Sequence, residues 1–169
     1  MKKLIIVLAI IVTILSINKN EDKIIIPKDS IRFRIIANSD TIDDQNLKKA
    51  IVSNLSTTIT QSNNLKNIND TRTFINNNIP KFENIVDKTL KERKEDRTFH
   101  INYGKNYFPE KEYKNVIYEA GEYESLVITL GEGKGKNFWC VLFPPLCMID
   151  EENDIEYKSL IKEVLDRYF

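Results

Sequence analysis

Histidine, tryptophan and cysteine are nearly missing from this 169-residue chain, which holds one, one and two of them. Two cysteines are too few for an all-cysteine zinc site, and one histidine leaves almost nothing to complete a mixed set, so a structural zinc is not expected. An excess of one charge is also missing, with 25 Lys and Arg against 25 Asp and Glu. No block of five or six like charges occurs either, so the footprint that grips a phosphate backbone is lacking and nucleic acid is not an expected partner. What is present, 41% hydrophobic and 30% charged residues, suits one folded domain with a modest core.

The chain opens on a basic-then-apolar pattern. Lys2 and Lys3 precede Leu4 to Ile17, which is apolar except for Thr13 and Ser16, and Asn18 to Lys23 turns polar. That is the grammar of an export signal. As a helix the apolar run covers roughly 21 Å, short of a hydrocarbon core of roughly 30 Å. No clean small-x-small cleavage site lies near Ser16, so removal of the signal and its retention as a thin anchor, in contact with the membrane, both stay open. Residues 1–22 are therefore read as export signal or signal anchor with tether, and 23–169 as a single, nearly neutral α+β domain.

Within that domain Ile24 to Ile26 could pack on an edge. Phe33, Ile35 and Ala37 alternate with Arg32 and Arg34, which predicts a half-buried strand over 31–37. Asn38, Ser39, Asp40, Thr41, Asp43 and Asp44 follow, short polar side chains suited to capping a helix that begins near Ile42. Leu47, Ile51, Leu55 and Ile59 recur at i+4 and carry that helix to about Thr60. A second helical stripe runs through Ile75, Ile79, Phe82, Val86 and Leu90, with Pro80 predicting a kink or two helices meeting. Phe99, Ile101 and Tyr103 alternate as a second strand, and Leu126, Ile128 and Leu130 as a third. Phe138 to Phe143, continuously apolar, reads as a fourth strand central in the sheet. The Gly131–Asn137 segment reads as a flexible hairpin connection, and Tyr157, Leu160, Ile161, Val164 and Leu165 form a C-terminal amphipathic helix. The order β-α-α-β-β-β-α implies an α+β fold, a small mixed sheet of about four strands packed against helices.

No catalytic, cofactor or metal constellation emerges. The glycine segment fails the phosphate-loop spacing, since Asn137 and Phe138 stand where lysine and a hydroxyl belong, and Lys136 occupies the third glycine of a dinucleotide fingerprint. Cys140 and Cys147 bracket Val-Leu-Phe-Pro-Pro-Leu and leave three readings open: a disulfide across the Pro144-Pro145 turn, two buried free thiols, or a nucleophile. Their apolar neighbours place the free thiols first and the nucleophile last. A nucleophile would have only His100 as base, and period two turns His100 away from the Phe99/Ile101 face. Asn38, Asp40, Asp43 and Asp44 lack the spacing of a calcium loop, and helix capping fits them better. The aromatic stretch from Tyr103 to Tyr123 suits a core and a partner interface equally.

Three stretches together resemble the stage II sporulation protein R family: Ile31-Arg-Phe-Arg-Ile-Ile-Ala-Asn-Ser-Asp40 continuing to Lys48; Tyr107-Phe-Pro109 with Ala120-Gly-Glu-Tyr-Glu-Ser-Leu126; and Gly131 to Asp150 with Asn137-Phe-Trp-Cys-Val-Leu-Phe-Pro-Pro-Leu-Cys147. Phe138, Lys114 and Glu119 depart from the family's usual tryptophan, glycine and proline. The resemblance implies a non-enzymatic signal made in the forespore and exported into the space between the two sporangial membranes. There it would switch on a membrane-embedded aspartic protease that processes a mother-cell sigma-factor precursor. An exported wall-binding or adhesion module and a secreted Cys/His hydrolase are the rival classes. For the partner surface, the outward face of strand 31–37, the polar cluster after it and the Pro-Pro turn single out Arg34, Asn38, Asp40, Gln45, Trp139, Pro144 and Pro145, positions on which the resemblance also falls.

Overall fold

The computed structural model describes residues 23–113, 116–147 and 154–169, the side chains of 154–158 excepted; the expected signal or anchor over 1–22 lies outside the described residues. In chain order the elements are β1 (Ile24–Ile25), β2 (Ile31–Ile36), α1 (Ile42–Thr60), a 3-10 turn (Gln61–Asn64), α2 (Ile68–Glu92), β3 (Phe99–Phe108), β4 (Lys111–Tyr113), β5 (Val116–Tyr118), β6 (Gly121–Leu130), β7 (Asn137–Phe143) and α3 (Asp154–Tyr168). The architecture is α+β, with a four-stranded sheet ordered β3-β6-β2-β7 and a three-stranded sheet ordered β1-β5-β4.

Alternation along β2 divides the molecule into two sides. Ile31, Phe33 and Ile35 are fully buried against α1 and α2, where Leu47, Ile51, Phe82 and Val86 meet them. Arg32 and Arg34 point to the opposite side, where Phe108, Tyr123 and Val127 gather. A further cluster of Ile26, Val116, Val141, Leu146 and Ile161 joins the small sheet and α3 to the same edge. Two apolar layers therefore enclose the larger sheet, and burying side chains on both of its faces is what lets a chain this short build a core.

Both long helices start on caps. Thr41 Oγ1 accepts from the Asp44 amide at 3.4 Å and Asn67 Oδ1 from the Asp70 amide at 2.9 Å, satisfying amides that have no partner inside the helix. The expected break at Pro80 does not occur as two helices: α2 is one helix with Pro80 inside it. Pro80 lies on its exposed side, away from buried Ile75, Phe82, Val86 and Leu90, so the stripe that docks the helix passes uninterrupted beside it.

Two further expectations are corrected. β7 is an edge strand, not a central one. Its unbroken apolar run reflects burial from both sides, with Phe138, Cys140 and Leu142 in the helix-side core while Trp139 and Val141 belong to the clusters opposite. The Gly131–Asn137 segment is also no hairpin, because β6 and β7 do not pair; both flank β2, parallel on one side and antiparallel on the other. The connection must cross over the exit of β2.

Candidate functional site

That crossing organises the top of the molecule. Gly135 N donates to Ala37 O at 2.9 Å and Lys134 N to Asn38 O at 3.0 Å. Asn38 Oδ1 accepts from Glu132 N at 2.9 Å and Asp40 Oδ1 from Lys136 N at 2.6 Å. The passage is so close that a Cβ on Gly135 would stand 2.2 Å from Ser39 O, and one on Gly131, at φ +54, only 2.3 Å from Asn38 Oδ1. Glycine is required here by backbone approach, not by a phosphate.

Asp44 closes the latch from below. Its carboxylate accepts from Asn38 Nδ2 at 2.9 Å and Ser39 Oγ at 2.6 Å, and it pairs with Arg97, which also holds Glu95 at 2.7 Å. Burial alone would raise the Asp44 carboxyl, but the bonds from Ser39, Asn38 and Arg97 together with the Arg97 charge outweigh it and hold it at about 2. Gln45 Nε2 donates to Ser39 O at 2.9 Å, and buried Lys48 donates to Gln45 Oε1 at 2.6 Å and Lys136 O at 2.8 Å. The capping expected of Asn38 and Asp40 thus belongs to Thr41 alone, while their side chains tie two loops together.

The other side of β2 carries a cationic and aromatic cluster. Arg32 is 1% exposed and its guanidinium carbon lies 3.3 Å from the Tyr123 ring centroid; that of Arg34 lies 4.5 Å from Phe108. Burial lowers the pKa of both. Phe108 meets Trp139 edge-on at 5.2 Å, and Lys111 Nζ stands 5.1 Å over the Trp139 ring. The rings take the place of carboxylates here, since aromatic faces attract desolvated cations. Among the described residues four buried polar atoms have no hydrogen-bond partner, Ser30 Oγ, Arg32 Nε and Nη2, and Arg34 Nε, and the three residues that carry them alternate along β2 and the position before it. Lys48 is near this surface too: burial lowers its pKa, and the charges of Lys49, Lys111 and Lys136 act the same way against Asp40. Lys49, Lys111 and Lys136 are exposed, which gives the Trp139 end of the sheet a basic rim.

The seven residues singled out as a partner surface do not form one patch. Arg34 and Trp139 face each other across β2 and β7, and Asn38, Asp40 and Gln45 share the latch above them. Pro144 and Pro145, however, follow Phe143, which is paired with Ile31 at the opposite end of β2. Five residues at about 3.3 Å each separate the two ends. The same antiparallel register that joins Arg34 to Trp139 carries the Pro-Pro turn away.

Cys140 and Cys147 form a disulfide with Cα atoms 4.9 Å apart, the reading placed second to free thiols. The turn after β7 brings them together, with Leu146 N donating to Val141 O at 3.0 Å. His100 is exposed on β3, at the other edge of the sheet, so it cannot serve either sulfur as a base. Sequence patterns reached Phe108 only within the Tyr103–Tyr123 aromatic stretch and gave Lys111 and Lys48 no part in a site of their own; the Arg-x-Arg alternation announced two cations on one face without saying what would receive them.

The stage II sporulation protein R family matches residues 27–153. A curated relative, stage II sporulation protein R of Bacillus subtilis (strain 168), is 40% identical over 137 residues, covering 80% of this chain and 61% of that protein. The chain thus spans about three-fifths of the length of the curated relative it matches. No solved structure matches.

Proposed function

We propose, since the chain belongs to the stage II sporulation protein R family, that it is a sporulation signal which is exported from the forespore and switches on a membrane-embedded aspartic protease acting on a mother-cell sigma-factor precursor. The observation that carries this reading is the family match itself, because residues 27–153 span β2 to β7 and both long helices. Pairing of Cys140 with Cys147 supports a binding role over a thiol hydrolase and suits a compartment outside the cytosol. A ligand of this kind activates its target only by binding the active arrangement more tightly than the inactive one. We assign that contact to the basic rim around Trp139, because Lys111 stands over the partly exposed indole and Lys136 is an exposed cation immediately before the strand that carries it, the composition of a partner-binding centre.

The test is co-expression of the full chain with the protease and the precursor, scoring precursor processing. Lys111→Glu combined with Lys136→Glu should melt as the parent does and lose processing. If the doubly substituted chain supports normal processing, the rim is not the contact. If the parent chain itself leaves the precursor unprocessed, the protease-activating role falls.

A further inference from the structure

β3 is an open edge. All ten of its residues pair with β6 in one unshifted antiparallel register, and among the described residues no strand lies on its other side. Alternate residues of such a strand aim their amides and carbonyls outward. Edges are usually blunted by proline, bulges or several charges. The opposite edge, β7, follows that rule, with a register shift in its pairing and a Pro-Pro turn closing it. β3 has neither proline nor bulge, and Lys105 is its single Lys, Arg, Asp or Glu.

A groove runs beside this edge. Pro80, Glu83, Asn84 and Asp87, spaced along one side of α2, face Phe99, His100 and Ile101 across a cleft of about 560 Å³. A second cleft of about 400 Å³ shares Asp87 and Phe99 and continues past Leu90, Glu95 and Asp96. Its acids outnumber its bases. Asp87 is held by Lys91 at 2.6 Å and Glu95 by Arg97 at 2.7 Å, whereas Glu83 and Asp96 are exposed and take part in no ion pair of the described residues.

We propose that β3 and α2 form an acceptor groove for an extended, basic segment of a partner protein, which adds to the sheet as a further strand. Main-chain hydrogen bonds to the free edge would supply the register, and the unpaired acids Glu83 and Asp96 the preference for lysine or arginine at alternate positions, the general mode of strand addition between an edge strand and a helix. A second copy of this chain is the poorer occupant, because pairing β3 with β3 brings two acidic walls together. The groove is distinct from the basic rim around Trp139 and opposite to it in charge, and the proposal does not depend on what binds there.

The experiment follows backbone amide resonances of the full chain on titration with an eight-residue peptide of alternating lysine and valine, its glutamate-for-lysine counterpart, and the lysine peptide N-methylated at alternate residues. Shifts from the lysine peptide should concentrate in residues 80–87 and 95–105. Affinity should fall about tenfold or more for both the acidic and the N-methylated peptides, and Glu83→Lys should weaken the lysine peptide several-fold while leaving the melting temperature unchanged. Equal binding of the N-methylated peptide would overturn strand addition, equal binding of the acidic peptide would overturn the charge preference, and β3 shifts that grow with protein concentration alone would assign the edge to a second copy. No shifts at all would overturn the groove.

Discussion

At the scale of single residues, the latch over β2 makes two sharp demands. Gly135→Ala would push a methyl into the Ser39 carbonyl at 2.2 Å, with the Ala37 Cβ at 3.0 Å preventing retreat. Backbone on one side and a buried alanine on the other leave no flexible atom to yield, so the loss should exceed about 2 kcal/mol. Gly104→Ala is the matched control, since no atom lies within 4 Å of its added Cβ; its melting temperature should hold or rise slightly, because alanine lowers the entropy of the unfolded chain. Asp44 makes the second demand. Its carboxyl is depressed from 3.8 to about 2, so its contribution is fully present above about pH 4 and disappears as pH falls through the folded value. The shift corresponds to about 2 kcal/mol at an almost fully buried group. Urea midpoints of the parent and Asp44→Asn should therefore lie apart at pH 5 and converge toward pH 2, and a constant gap across that range would show that the carboxylate charge contributes nothing.

At the scale of elements, the end of β7 is fixed by a cross-link as well as by packing. A disulfide closing so short a segment, sequence separation 7, is expected to contribute about 2 kcal/mol by restricting the unfolded chain. Replacing Cys140 and Cys147 together with alanine should lower the melting temperature without altering the helical circular dichroism, and processing should follow the folded fraction. A folded but silent double variant would give the pair a role beyond stability. The same strand shows where sequence patterns stop. α1 was legible to its ends, because the i+4 stripe from Leu47 to Ile59 and the polar cluster before it are local signals. β7 was legible as a strand and illegible in position: an apolar run reports burial on both faces, and an edge strand clothed by α3 on one side and helices on the other meets that condition as well as a central one. β1, β4 and β5 have two or three residues each, too few for a period to register. Of the candidate site, the Arg34 orientation followed from alternation, but the latch joins side chains to amides 94 and 96 positions away, and no local pattern encodes that. The polar groups after β2 exceed what one helix cap requires, and the loop that crosses the strand end uses them.

At the scale of the whole molecule, a chain with no net charge separates its charges in space, with lysines around Trp139 and acids along the β3–α2 groove. Such a separation presents two faces of opposite sign on a molecule that is neutral as a whole. Delivery of those faces is where the apolar run of residues 4–17 and the disulfide converge. Cytosolic thiols are kept reduced, whereas paired cysteines persist outside, so the redox state of Cys140 and Cys147 reports which side of the membrane the domain has reached. Deletion of residues 4–17 should hold the protein in the producing cell. Thiol alkylation in intact, rapidly quenched sporulating cells should then label both cysteines of the deletion variant and neither of the parent. Precursor processing should be lost although the purified variant, once oxidised, melts as the parent domain does. The two readouts separate compartment from fold. Alkylation of the parent would place its domain in a reducing compartment, and normal processing by a deletion variant shown to be reduced and cytosolic would remove export from the mechanism.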